Sequence, residues 1–137
     1  MRLLALDLGE RRIGLAVGGD VGGIIFPAGH LIRTKLTEDV SSILEVAGEK
    51  EAEGFVVGVP YSLDGGVGPT AKMALGFIRA LQRVTSLPVY AVDERFTSVE
   101  AEALLREAGR EPSRDKGSAD EAAAILILRR FLDQQNV

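Results

Sequence analysis

Hydrophobic residues near the start of the chain fall into short runs separated by polar turns. Residues 3–8 and 13–17 form two such runs on either side of a charged turn, which predicts a β-hairpin. Residues 24–32 supply a third run, in which Pro27 and Gly29 indicate a bend or an edge position. This part of the chain therefore predicts three antiparallel strands.

The pattern then alternates between helical spacing and apolar runs. Residues 38–50 place apolar side chains on one face and acids on the other, as in an amphipathic helix. Residues 54–60 are apolar without alternation, which predicts a strand covered on both faces at the centre of a sheet. Residues 70–84 return to helical spacing with Pro69 at the start, and residues 88–92 predict a fifth strand.

Two capping boxes mark the start of two further helices. Thr97 and Glu100 open a helix that ends near Gly109, and Ser118 and Glu121 open the last helix. The resulting order, βββαβαβαα, predicts an α/β protein in which helices pack on the faces of a mixed sheet.

Composition narrows the chemistry that such a protein can perform. The chain has 137 residues, a formal net charge of −4, one histidine (His30) and no cysteine, which excludes zinc clusters, thiol nucleophiles and disulfides. It is not a uniformly basic nucleic-acid binder. No apolar stretch is long enough to span a membrane, so we expect a cytoplasmic protein with no membrane contact and a single domain over residues 1–137.

Acidic residues end two of the buried strands and begin one buried helix. Asp7 closes the first strand, Asp93 and Glu94 follow the fifth strand, and Asp120 opens a helix that is apolar on all sides. Each acid also has an ordinary explanation, as a turn former, a strand terminus or a charge at a helix N-terminus. Only one of Asp93 and Glu94 can point toward a given partner, and the spacing leaves open which one does.

Three acids gathered at one place would form an all-oxygen site suited to Mg²⁺ or Mn²⁺. Two such ions can activate water and stabilise both oxygens of a phosphodiester displacement. Basic residues lie within a few positions of each acid, and Arg12, Arg95 and Lys116 are better candidates for phosphate contacts than Arg11 and Arg114, which fit solvated surface charge.

Four sequence blocks resemble the YqgF family of bacterial proteins, also called RuvX, over essentially the whole chain. They are DLGERRIGLA at 7–16, VVGVP at 56–60 with DG at 64–65, DERFTS at 93–98, and KGSADEAA at 116–123. The resemblance implies a ribonuclease H-like fold, with a five-stranded mixed sheet in the order 3-2-1-4-5 and helices on both faces.

The family pattern also implies the roles of individual residues. Asp7, Glu94 and Asp120 would be the catalytic, metal-binding carboxylates, which selects Glu94 over Asp93, and the cofactor would be Mg²⁺ or Mn²⁺, as two ions. Nucleic-acid contacts are expected from Arg12, Arg95, Thr97 and Lys116.

The chain departs from the better-known resolvases of this fold on the fourth strand. Those enzymes carry an acid there, whereas residues 56–59 of this chain contain none. Either Glu94 reaches across from the neighbouring strand, or Asp64 contributes from the following loop.

The resemblance implies a hydrolase, a nuclease that processes the 5′ end of pre-16S ribosomal RNA in ribosome biogenesis. Three alternatives stay open: a Holliday junction resolvase acting on branched DNA, a non-catalytic ribosome-assembly or transcription factor that binds RNA, and a phosphate-binding kinase or ATPase. The last requires a cleft between two domains. Monomer and homodimer are equally compatible with the sequence.

The negative net charge is concentrated in one segment. Residues 38–53 contain six acids and one lysine, so the rest of the chain is close to neutral. We therefore expect nucleic acid to bind on a face away from the first helix, through metal and a few basic residues.

Overall fold

The computed structural model describes residues 1–94 and 116–135. Five strands, one 3₁₀ turn at Val21–Gly23 and three helices make up this part of the chain. Their bounds are β1 Leu3–Leu8, β2 Arg12–Gly18, β3 Ile25–Ile32, α1 Leu36–Glu49, β4 Gly54–Val59, α2 Pro69–Val84, β5 Val89–Asp93 and α3 Lys116–Gln135. The helix predicted over 97–109 lies outside the described residues.

The five strands form one mixed sheet in the order β3-β2-β1-β4-β5, which confirms the predicted topology. The pairs β1–β2 and β2–β3 are antiparallel, whereas β1–β4 and β4–β5 are parallel. Every residue of β4 is buried, as the unbroken apolar run predicted.

Helices cover both faces of the sheet because side chains alternate along each strand. On β1, Leu4 and Leu6 belong to the core that α1 and α2 cover. Ala5 points the other way, into a second core with Ile127 and Leu128 of α3. The prediction of helices on both faces is confirmed.

The last helix begins earlier than the sequence predicts. It starts at Lys116, so Ser118 lies inside the first turn and the predicted capping box with Glu121 is wrong. The Glu121 carboxylate instead accepts a hydrogen bond of 2.8 Å from the backbone N–H of Gly29. Gly29 adopts a φ of 84° on β3 beside a register shift, and its N–H takes the place of the local donor in the predicted capping box.

In the part of the chain that the structure describes, each helix is too short or too polar to cross a membrane.

Candidate active site at the carboxyl ends of the parallel strands

Asp7 and Glu94 meet at one edge of the sheet. Asp7 is the second-last residue of β1, and Glu94 directly follows β5. Both strands run parallel to β4, which lies between them, so their carboxyl ends face the same side. The Glu94 backbone N–H donates to Val59 O at 3.2 Å, which continues the β4–β5 pairing to the site.

Gly58 on β4 provides the space through which the Glu94 side chain passes. A Cβ atom at Gly58 would lie 2.7 Å from Glu94 Oε2 and 2.6 Å from Ile127 Cδ1. Both separations are shorter than a van der Waals contact, so only glycine fits here without displacing a neighbour. Glu94 thus reaches across β4 to Asp7, one of the two arrangements that the acid-free fourth strand left open.

The two carboxyl groups are hydrogen-bonded to each other, with the protonated Glu94 donating to Asp7. The pKa of Glu94 is raised from 4.5 to about 9, mainly by burial and then by the charge and hydrogen bond of Asp7, while the Arg130 guanidinium opposes the shift. Burial also raises the pKa of Asp7, against the effect of its hydrogen bond with Glu94, and the nearby Asp120 charge adds to the rise. The pair is therefore a site whose donor atoms are all oxygen, with Glu94 buried and Asp7 half-buried.

Asp93 and Glu94 have different environments, as expected for neighbours at a strand end. Glu94 is buried at 9% exposure, whereas Asp93 is partly exposed. The Asp93 carbonyl oxygen accepts a hydrogen bond of 2.7 Å from Arg130 Nη1 of α3, which fixes the backbone beside Glu94. Of the two acids, Glu94 is the one that contacts Asp7.

Asp120 lies near the pair but is bound to a basic residue. Arg12, the first residue of β2, donates from Nε to Asp120 Oδ2 at 2.8 Å. The close approach of α3 to β2 depends on Gly14, because a Cβ atom there would lie 2.1 Å from the Asp120 carbonyl oxygen. Within residues 1–94 and 116–135, no three acidic or histidine side chains lie close enough together to hold a metal ion. The structure thus brings Asp7 and Glu94 together and pairs Asp120 with Arg12.

The other predicted residues are placed as follows. Arg95 and Thr97 lie outside the described residues, and Lys116 is the first residue of α3. Asp64 accepts hydrogen bonds from Ser62 Oγ and the Gly66 N–H within the loop that follows β4. The metal-binding and nucleic-acid-binding roles of these residues stay predictions.

Gly14 and Gly58 are the two residues of this site that sequence reasoning missed. Each is a glycine inside an apolar strand, a position where glycine often marks the close approach of another group. That signal was available in the sequence, but it does not reveal which group approaches.

A mixed sheet in the order 3-2-1-4-5, with acids at the ends of its parallel strands, is the ribonuclease H-like fold. T. thermophilus RuvC, solved in complex with a Holliday junction substrate, shares this fold with a TM-score of 0.61 and 18% sequence identity, over 99% of this chain and 96% of the RuvC chain.

The family model described as "RuvX: Holliday junction resolvase" matches residues 1–134. A protein of Synechococcus sp. named "Putative pre-16S rRNA nuclease" is 43% identical over 132 residues, which is 96% of this chain and 89% of that protein. A protein of the same name from Anaeromyxobacter sp. (strain K) is 40% identical over 135 residues, 98% of either chain. The chain belongs to the RuvX family.

Proposed function

We propose that this protein is a divalent-metal-dependent nuclease that hydrolyses phosphodiester bonds in structured RNA, acting as a single domain on the 5′ end of pre-16S ribosomal RNA. The observation that carries the proposal is the contact between Asp7 and Glu94 at the carboxyl ends of β1 and β5, in a chain of the RuvX family. The names of its relatives support the choice of substrate.

The donor set of the site fits Mg²⁺ or Mn²⁺. Carboxylate oxygens are the ligands that these hard cations prefer, and the buried Glu94 in contact with the half-buried Asp7 favours a cation between them. Asp7 and Glu94 would hold the metal, and Asp120 would join them on release from Arg12. Bound as two ions, the metal would supply an activated water and stabilise charge on the phosphate oxygens.

The residues around the acids would hold the RNA backbone. Arg12 lies beside the pair, with its side chain about one-quarter exposed, so its guanidinium can exchange Asp120 for a phosphate oxygen. We assign the same class of contact to Lys116, Arg95 and Thr97, on the basis of the family blocks that contain them.

An Asp7→Asn variant tests the catalytic role of the pair. We expect cleavage of a 5′-extended pre-16S transcript in Mg²⁺ or Mn²⁺ by the wild-type protein and a loss of at least about a hundredfold in the variant, with folding and RNA binding retained. Asp20→Asn is the matched control, because Asp20 pairs with Arg2 at the opposite ends of the strands. Cleavage by purified Asp7→Asn at the wild-type rate would refute the proposal. RNA binding by the wild-type protein without metal-dependent cleavage would favour an assembly factor.

Cleavage of branched DNA is the second candidate function. The observation that favours it is the fold shared with T. thermophilus RuvC, which was solved on a Holliday junction. Labelled pre-16S transcript and labelled four-way junction in the same reaction separate the two candidates, because the preferred substrate is cleaved first at limiting enzyme.

A further inference from the structure

The turn between β1 and β2 connects two residues of the proposed site, and Arg33 holds its backbone at two points. The turn closes through a hydrogen bond of 2.9 Å from the Gly9 N–H to Arg12 O. The Arg33 N–H donates to Arg11 O at 2.8 Å, and Arg33 Nη1 donates to Gly9 O at 3.1 Å. Asp7 lies two residues before this turn, and Arg12 ends it.

The Arg33 guanidinium is itself fixed by α1. Its Nε donates to Asp39 Oδ2 at 3.3 Å, and the Asp39 side chain is only 3% exposed. The other oxygen, Asp39 Oδ1, accepts from the Thr34 N–H at 2.9 Å and from Thr34 Oγ1 at 3.1 Å. The carboxylate cannot move without breaking these bonds.

Helix α2 encloses the same guanidinium from another side. The Arg33 guanidinium lies 5.8 Å from the centre of the Phe77 ring, and Nη1 is 3.2 Å from Met73 Sδ. Arg33 therefore connects both helices on this face of the sheet to the backbone of the turn.

A buried ion pair contributes little net stability, because the cost of removing both charges from water offsets their attraction. Its clearer effect here is geometric, since the planar guanidinium donates to Asp39 and Gly9 O in fixed directions. We propose that Arg33 is a positioning residue, which sets the turn so that, before metal and RNA bind, Arg12 meets Asp120 and Asp7 faces Glu94. This inference rests on the proposed function of that site.

An Arg33→Lys variant separates charge from geometry. The lysine ammonium can still neutralise Asp39, but it lacks the planar fork that also reaches Gly9 O. We expect the variant to fold. The Arg12 Nε–H, which is hydrogen-bonded to Asp120 in the wild-type protein, should exchange faster with solvent, so its resonance should be lost from NMR spectra. The value of kcat should fall about tenfold, with KM for RNA changed less than about twofold.

Arg2→Lys is the matched control at the opposite ends of the strands. Like Arg33, Arg2 donates hydrogen bonds both to a carboxylate and to a backbone carbonyl. Its Nη1 donates to Asp20 Oδ2 at 3.2 Å, and its Nε donates to Lys50 O at 2.7 Å. The control should leave kcat and the Arg12 resonance unchanged. An unchanged Arg12 resonance in Arg33→Lys, or equal losses of kcat in both variants, would overturn the proposal.

The NMR measurement needs no substrate, so it decides the role of Arg33 even if the wild-type protein does not cleave RNA. If Arg33→Lys does not fold, the double variant Arg33→Met/Asp39→Asn replaces it, because it removes both charges while the asparagine oxygen can still accept from Thr34. The double variant should also lose the Arg12 Nε–H resonance. If the double variant folds and keeps this resonance, the proposal is refuted.

Discussion

The carboxyl group of Glu94, at the end of β5, is hydrogen-bonded to Asp7 of β1 across the strand that separates them. The contact is possible because Gly58 on that strand has no side chain to block it. The arrangement brings two acids together from strands that are not adjacent in the sheet, and Arg12 holds the third acid, Asp120, beside them.

Replacing Gly58 with alanine should disrupt the acid pair more than the fold. The new Cβ atom would meet the ends of two flexible side chains, Glu94 and Ile127, so we expect a stability loss of only about 1 kcal/mol. Displacement of Glu94 should lower cleavage at least about tenfold. Thermal unfolding and the cleavage assay measure the two effects, and an alanine variant with wild-type cleavage would show that Glu94 does not need this path.

Replacing Gly14 with alanine, in contrast, should destabilise the fold more than it disrupts the acid pair. Here the Cβ atom would meet backbone atoms of Asp120, at 2.1 Å from O and 2.4 Å from C, and helix α3 must move to accommodate it. We expect a loss of about 2–3 kcal/mol in the free energy of unfolding, measured by denaturant titration. Gly76→Ala is the control, because that position in α2 is open and alanine favours a helix by about 0.5–1 kcal/mol. Equal stabilities of the two variants would contradict the close contact.

The stability of the metal-free protein should fall as pH rises, because of Glu94. Its pKa is raised from an ordinary value of 4.5 to about 9, so between these values the folded protein retains a proton that the unfolded chain has released. The folded state is then favoured at the lower end of this window and loses that advantage toward the upper end. In EDTA, the melting temperature should fall between pH 5.5 and pH 8.5. The fall should be larger for the wild-type protein than for the Glu94→Gln variant, whose amide side chain does not titrate. Identical drops would exclude this contribution.

Replacing Arg12 with glutamine tests its assignment as a phosphate contact. The variant should weaken RNA binding across sequences and reduce the slope of log K against log salt by about 1, because one fewer counterion is released. Arg79→Gln on the exposed face of α2 is the control, and its slope should match the wild-type slope. An unchanged slope for Arg12→Gln would show that Arg12 does not contact phosphate and binds only Asp120.

The order of strands and helices could be predicted from the sequence because it follows from local patterns. Alternation and apolar runs predicted β1 to β5, and helical spacing predicted α1 and α2 to within a few residues at their starts. The family blocks supplied the sheet order and the choice of Glu94 over Asp93. Each of these signals lies within a short stretch of chain.

Tertiary structure alone decided which groups meet. Arg12 and Asp120 are 108 residues apart, and Gly29 and Glu121 are 92 residues apart, so no local periodicity connects them. The capping box at Ser118 satisfied every local rule and was wrong, because the helix starts at Lys116 and the Gly29 amide binds Glu121. A sequence determines which faces are apolar and where acids occur, but partners are chosen by the packing of whole helices on the sheet, which depends on contacts distributed over the entire chain.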